Sequence, residues 1–304
     1  MNAHRTAPFL LRAACLAGLW SLAVVPDGPA SAEAAAGVPA KTTQTVTSRD
    51  GTRITCDKWG KGPAIVVVGG ALSDRSGAAP LARLLAAHMT VYSYDRRGRG
   101  DSGDTAPYAV EREVEDLAAL IDAAGGSAHV YGKSSGASLA LQAAAVLGDK
   151  VKRLALYEPP YSDAAGAAPA WRAFRAQLDA LLAADRRSDA VALFMTFVGA
   201  PDAVVAQMKA SPAWPGFVAM APTLAYDNAV VGDDRSVPVD IAARVKALTL
   251  VMDGGASAGP MPFMRPTADK LATTMPRTQR QTVEGQAHDV DPNVLAPILL
   301  AFFR

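Results

Sequence analysis

Two periods of hydrophobic and polar positions alternate along this chain. "TQTVTS" (43–48) and "TRITCDKW" (52–59) have strand composition and flank Asp50-Gly51, a pair that signals a hairpin turn. "AIVVVGG" (64–70) is a continuous apolar run ending in glycines, the pattern of a strand buried on both faces. "TVYSYD" (90–95), "AHVY" (128–131), "VKRLALYE" (151–158), "ALTLVMD" (247–253) and "RQTVEG" (280–285) are read as further strands. Helical periodicity fills most of the intervals: "LARLLAAH", "VEREVEDLAALIDAAG" stopped by Gly125-Gly126, the stretch after residue 134, and the closing "DPNVLAPILLAFF". Strand and helix in repetition predict an α/β fold, a mostly parallel twisted sheet covered by helices on both faces.

Residues 161–240 break the alternation, because every pattern there is helical. Trp171, Phe174, Leu178 and Leu181 fall at spacings of 3, 4 and 3, one stripe on a helix. An all-helical insertion between two sheet strands reads as a cap, so the core is expected to comprise 44–160 and 241–304 around a helical cap at 161–240. Seven of the nine methionines lie beyond position 190. Methionine packs adaptably, which suits an apolar, tolerant pocket and gap filling in a core equally.

The first thirty-two residues carry a different signal. Arg5 and Arg12 make a basic start, "AACLAGLWSLAVV" is apolar over signal-peptide length, and "ASA" precedes Glu33. This is the pattern of a secretory signal cleaved after Ala32; the apolar run is too short for a comfortable membrane span. Residues 33–43 are expected to form a loose leader. Cleavage removes Arg5, Arg12 and Asp27, which takes 30 basic and 29 acidic residues to 28 of each. A neutral secreted chain has no electrostatic case for binding nucleic acid, and no membrane anchor is expected after cleavage. Cys15 leaves with the signal, Cys56 stands alone, and no internal disulfide is possible.

The candidate chemistry sits in "SAHVYGKSSGASLALQAAA" (127–145). A phosphate loop would need glycine five places before Gly132, where the chain has Ser127, and here a strand fills that interval. Gly132-Lys133-Ser134-Ser135-Gly136 instead fits Gly-x-Ser-x-Gly directly between a strand and a helix. A nucleophilic serine there occupies a sharp, strained turn, and side chains two residues either side would collide with neighbouring elements. That spacing selects Ser134 over Ser135, whose flanking positions are Lys133 and Ala137. Ser135, at the helix N-terminus, offers its backbone N–H to an oxyanion. The serine needs a base, and histidine is scarce. His4 goes with the signal, while His88 and His129 lie at a helix–strand junction and inside a strand. His288, on a loop in "EGQAHDVDP" and last in chain order, remains.

With these residues in hand the chain resembles the α/β-hydrolase superfamily over nearly all of its length after the signal. "VVVGGAL" (66–72) resembles the family's strand and oxyanion turn, "YDRRGRGDSG" (94–103) the loop after the following strand, and "GQAHDV" the histidine loop. The resemblance implies a second oxyanion donor at the N–H of Ala71, ahead of Gly70, and structural roles for Arg96, Arg97 and Arg99. It also argues against haloalkane or epoxide hydrolysis, because the elbow holds serine rather than aspartate. The acid departs from the commoner pattern, since the place where most relatives carry Asp is Ser257. Glu158, at a strand end where some members place their acid, is preferred; Asp253, at the next strand's tip, stays open. Asp289, adjacent to His288, is poorly placed to curl onto its ring.

The expected activity is that of a secreted serine hydrolase acting on a small-molecule carboxylic ester through an acyl-enzyme, with no metal or cofactor implied. The same nucleophile permits lactone, amide or thioester cleavage or acyl transfer. A reading from another class is a non-catalytic ligand-binding protein on the same fold, favoured only by the missing acid at the usual place.

Overall fold

The computed structural model describes residues 40–304. The expected signal (1–32) and residues 33–39 of the expected loose leader lie outside the described residues; Lys41–Thr43, the end of that expected leader, are instead paired strand residues at the start of β1. Eight strands form one sheet: β1 (Lys41–Thr47), β2 (Arg53–Trp59), β3 (Ala64–Val68), β4 (Thr90–Tyr94), β5 (Ala128–Lys133), β6 (Val151–Tyr157), β7 (Leu248–Gly254) and β8 (Thr278–Val283). Their order is β1-β2-β4-β3-β5-β6-β7-β8. The β1–β2 hairpin pairs antiparallel with itself and with β4, and every pairing from β4 to β8 is parallel. The hairpin closes through Gly51, at φ 86°, as the Asp50-Gly51 pair predicts.

Successive residues of the central strands point to opposite faces, and both faces are covered. Val66, Val68, Val130, Leu154, Leu156 and Val251 pack on one face with α2 (Val110–Ala123) and α3 (Ser135–Leu147). Ile65, Val67, Tyr131, Tyr157 and Met252 pack on the other with α1 (Ala79–Leu85) and α11 (Pro292–Phe303). Burial on both sides is why these strands read as unbroken apolar runs.

Between β6 and β7 the chain forms only helices: α4 (Ala167–Ala183), α5 (Arg187–Phe197), α6 (Asp202–Lys209), α7 (Trp214–Met220), α8 (Leu224–Val231) and α9 (Val239–Ala242). The α4 stripe is inward as its spacing predicts: Trp171, Phe174 and Leu178 are buried, and Phe174 stacks on Phe197 of α5 with ring centroids 4.0 Å apart. Of the seven late methionines, Met195, Met208, Met252, Met264 and Met275 are buried. These five fill gaps in the packed interior. Helix α10 (Met264–Thr274), which joins β7 to β8, is not among the helices that the sequence pattern predicts.

Candidate active site

The elbow forms where β5 ends at Lys133 and α3 begins at Ser135. Ser134 between them sits at φ 57°, ψ −132°, a conformation that L-residues rarely adopt. Holding it there costs about 1–3 kcal/mol, which the surrounding structure must offset. Part of that hold is visible: Ser134 N–H donates to the carbonyl of Tyr157 at 3.0 Å, and its own carbonyl accepts from Ala137 N–H at 2.8 Å. The two flanking glycines are steric requirements. A Cβ at Gly132 would strike the backbone of Gly136 and Ala137, and one at Gly136 would strike the carbonyls of Val68 and Gly69.

The turn after β3 lies against the same serine. A Cβ at Gly70 would come within 2.9 Å of Ser134 Cβ and 3.5 Å of its Oγ. Among the described residues, neither Ala71 N–H nor Ser135 N–H donates to a protein acceptor. Ser135 directly follows the nucleophile in sequence, and Ala71 belongs to the turn that packs against it.

His288 reaches the site on the loop after β8. Its Nδ1 is 2.7 Å from Glu158 Oε2. Glu158 is 1% exposed, just past the end of β6, with φ 48° and its N–H bonded to the carbonyl of Met252 at 3.0 Å. Its other carboxylate oxygen accepts Gly254 N–H at 2.8 Å. Where the carboxylate accepts this bond, Nδ1 carries the proton and Nε2 is left free to act as a base. The loop is tied to the elbow on both sides. Tyr157 Oη donates to the Ala287 carbonyl at 2.6 Å, and Lys133 Nζ to Asp289 Oδ1 at 2.8 Å. Tyr157 is thus bonded to Ser134 through its backbone and to the neighbour of His288 through its side chain. Ser134 Oγ and His288 share no hydrogen bond; catalytic hydrogen bonds of ligand-free enzymes are often long and tighten only with substrate.

His288 is paired with Glu158, and Asp253 has other partners. Its carboxylate accepts from Thr282 Oγ1 at 2.7 Å and pairs with Arg280 of β8 at 2.7 Å and with Arg265 of α10 at 3.4 Å. Asp289 is spent on Lys133, and Ser257 is buried with its hydroxyl unpartnered. His129 is buried against the Phe303 ring, and burial, with help from Lys152 and Arg153, pushes its pKa down to about 4. Among the described residues, no group of three or more His, Cys, Asp or Glu is arranged to hold a metal ion.

The profile of the alpha/beta hydrolase family matches residues 64–297, from β3 into α11, and so spans both the elbow and the histidine loop. The chain belongs to that family. A crystallised alpha/beta hydrolase from Sphaerobacter thermophilus is 55% identical to it, with a TM-score of 0.78, and the match covers 86% of this chain and 100% of that one. An esterase from Rhodococcus shares the fold at 20% identity and TM-score 0.64, over 86% of this chain and 98% of that one. The N-formylmaleamate deformylase of Pseudomonas putida is 36% identical over 106 residues, 34% of this chain and 40% of that protein. The chain thus aligns with well under half the length of that curated relative.

Within this alpha/beta hydrolase, the arginine loop after β4 is buried and paired. Arg96 forms two bonds of 2.6 Å to Glu113 and a third of 2.6 Å to Asp227. Arg97 pairs with Asp116 and Asp50, and Arg99 with Asp227 at 2.7 Å. Arg99 also donates to the Gly70 carbonyl at 2.6 Å, and Ser135 Oγ donates to Asp227 at 2.7 Å. Burial works against the charged form of Asp227, but Arg99, Arg96 and the Ser135 hydroxyl outweigh it and hold the carboxyl below its usual range. Sequence reasoning missed Asp227 and Tyr157. Three arginines in one loop of a neutral chain were a usable signal, since burying them demands carboxylate partners; nothing local marked Asp227 as one.

Proposed function

We propose that this alpha/beta hydrolase cleaves a carboxylic ester of a small molecule through an acyl-enzyme on Ser134. The observation that carries the reading is the contact between His288 Nδ1 and the buried Glu158 carboxylate, beside a serine held at positive φ. Ser134 Oγ attacks the ester carbonyl while His288 Nε2 takes its proton. The tetrahedral oxyanion is held by Ala71 N–H and Ser135 N–H. Collapse expels the alcohol, which receives the proton from His288, and leaves the acyl group on Ser134. Water, deprotonated by His288, then attacks the acyl carbonyl, releasing the acid and restoring the serine. Glu158 keeps the imidazole in the required tautomer and stabilises its charged form. We further propose, from the signal pattern at 1–32 alone, that the protein is exported.

The test is a rapid-mixing assay with p-nitrophenyl esters of graded acyl length. A burst of one p-nitrophenolate per active site, followed by slower turnover, supports the acyl-enzyme. No release from any ester would favour the non-catalytic binding reading. An N-formyl amide and a lactone belong in the same panel, since one partial relative is a deformylase and the serine chemistry is shared.

A further inference from the structure

We propose that Arg99 and Asp227 are positioning residues for the oxyanion hole, and that the helical insertion, through Asp227, sets both of its donors at once. This rests on the assignment of Ser134 as nucleophile. Asp227 lies on α8, far in sequence from the elbow and the turn after β3, yet its carboxylate reaches toward both. One oxygen accepts from the Ser135 hydroxyl at 2.7 Å, fixing the residue whose N–H is the first donor. The other accepts from Arg99 at 2.7 Å. Arg99 in turn donates to the Gly70 carbonyl at 2.6 Å and to Thr223 Oγ1 at 3.0 Å.

The Gly70 contact has a geometric consequence. The carbonyl of Gly70 and the N–H of Ala71 belong to one planar trans peptide and point in opposite directions. Anchoring the carbonyl on Arg99 therefore aims Ala71 N–H away from Arg99, and the Cα of Gly70 lies against Ser134. Without that anchor the peptide, which follows two glycines, is free to rotate and turn its carbonyl toward the developing negative charge. The anchor itself is rigid. Arg99 and Asp227 are 2% and 3% exposed, and Arg96 holds the same Asp227 oxygen that Ser135 uses, at 2.6 Å. A surface ion pair would have little energetic consequence, whereas a buried, fully bonded cluster has one low-energy geometry.

The test compares Arg99→Lys and Ser135→Ala with the wild type, each normalised to active sites titrated with a fluorophosphonate. Lysine keeps the charge but not the fork that holds Asp227 and the Gly70 carbonyl together. Arg99→Lys is expected to lower kcat about a hundredfold, the effect of a displaced or missing oxyanion donor, with KM changed by less than about threefold. The inhibition constant of a trifluoromethyl ketone, whose adduct on Ser134 bears an oxyanion, should rise by the same factor. Ser135→Ala keeps its backbone donor and should lower kcat several-fold with a matching rise. A purely structural role would reduce the number of titratable sites and leave kcat per site and the inhibition constant unchanged, and that result overturns the proposal. A fall in kcat with an unmoved inhibition constant also overturns it. Should Arg99→Lys fail to fold, Ser135→Ala decides by the same pairing. If the wild type cannot be titrated at Ser134, the nucleophile assignment fails first and takes this inference with it.

Discussion

Glu158 and His288 stand 130 positions apart in sequence and 2.7 Å apart in space, while Asp253, on the adjacent strand, is turned onto Thr282 and Arg280. The two carboxylates therefore separate by experiment. Glu158→Gln should lower kcat about ten-thousandfold, because the imidazole loses the group that fixes its tautomer and balances its charge. Asp253→Asn should keep turnover within about tenfold of wild type and lose about 1–3 kcal/mol of stability as the Arg280 contact weakens. Steady-state kinetics and thermal melts of both variants check this. The opposite pattern would hand the role to Asp253.

Gly70→Ala tests how closely the oxyanion turn approaches the nucleophile. The new methyl would sit 2.9 Å from Ser134 Cβ, tighter than packed side chains tolerate. The turn must retreat, and the Ala71 donor with it. Turnover should fall about a hundredfold, since displacements near 1 Å have that effect, while the melting temperature changes little. Undiminished kcat in this variant would mean that the turn does not serve the reaction.

Buried His129 gives stability a pH dependence. Its pKa is pushed down to about 4 in the folded chain, from an unfolded value near 6.5. The unfolded state therefore binds more protons between those values, so this residue's contribution is complete above pH 6.5 and is lost as pH falls toward 4. The loss is on the order of 3 kcal/mol at its limit. Urea unfolding at pH 7 and pH 4.5 should show a smaller drop for His129→Gln than for wild type. Equal drops would show that His129 is not held neutral by the fold.

The signal pattern at 1–32 predicts a processed protein. When the full chain is expressed in a bacterium with general export, Edman sequencing of the extracytoplasmic product should begin at Glu33, after "ASA". Intact chains starting at Met1 and confined to the cytosol would contradict export.

Much of this architecture was legible in the sequence because burial on both faces of a parallel sheet leaves an unmistakable trace. All eight strands were readable, the central ones as apolar runs such as "AIVVV". The elbow was equally legible, since Gly132 and Gly136 are demanded by backbone collisions that no other residue survives. Helix α10 was not. Its inward face is Met264, Thr267, Ala268 and Leu271, with Pro266 in the first turn, too polar and too small to stand out. The choice between Glu158 and Asp253 was hidden for a different reason. It depends on the left-handed backbone at Glu158 and on which neighbouring strand supplies partners for Asp253, and both are set by tertiary structure. Asp227 was invisible because its partners, Arg96, Arg99 and Ser135, are about 90–130 positions away.

The central claim is that Ser134 is an activated nucleophile. Its most direct test is labelling with a fluorophosphonate probe, followed by peptide mass spectrometry on the wild type, Ser134→Ala and Ser135→Ala. A serine activated by His288 and Glu158 should take up one probe per chain, on Ser134, within minutes. Ser135→Ala should label at the same residue, and Ser134→Ala not at all. Absence of labelling in the wild type, or an adduct that persists in Ser134→Ala, would contradict the account.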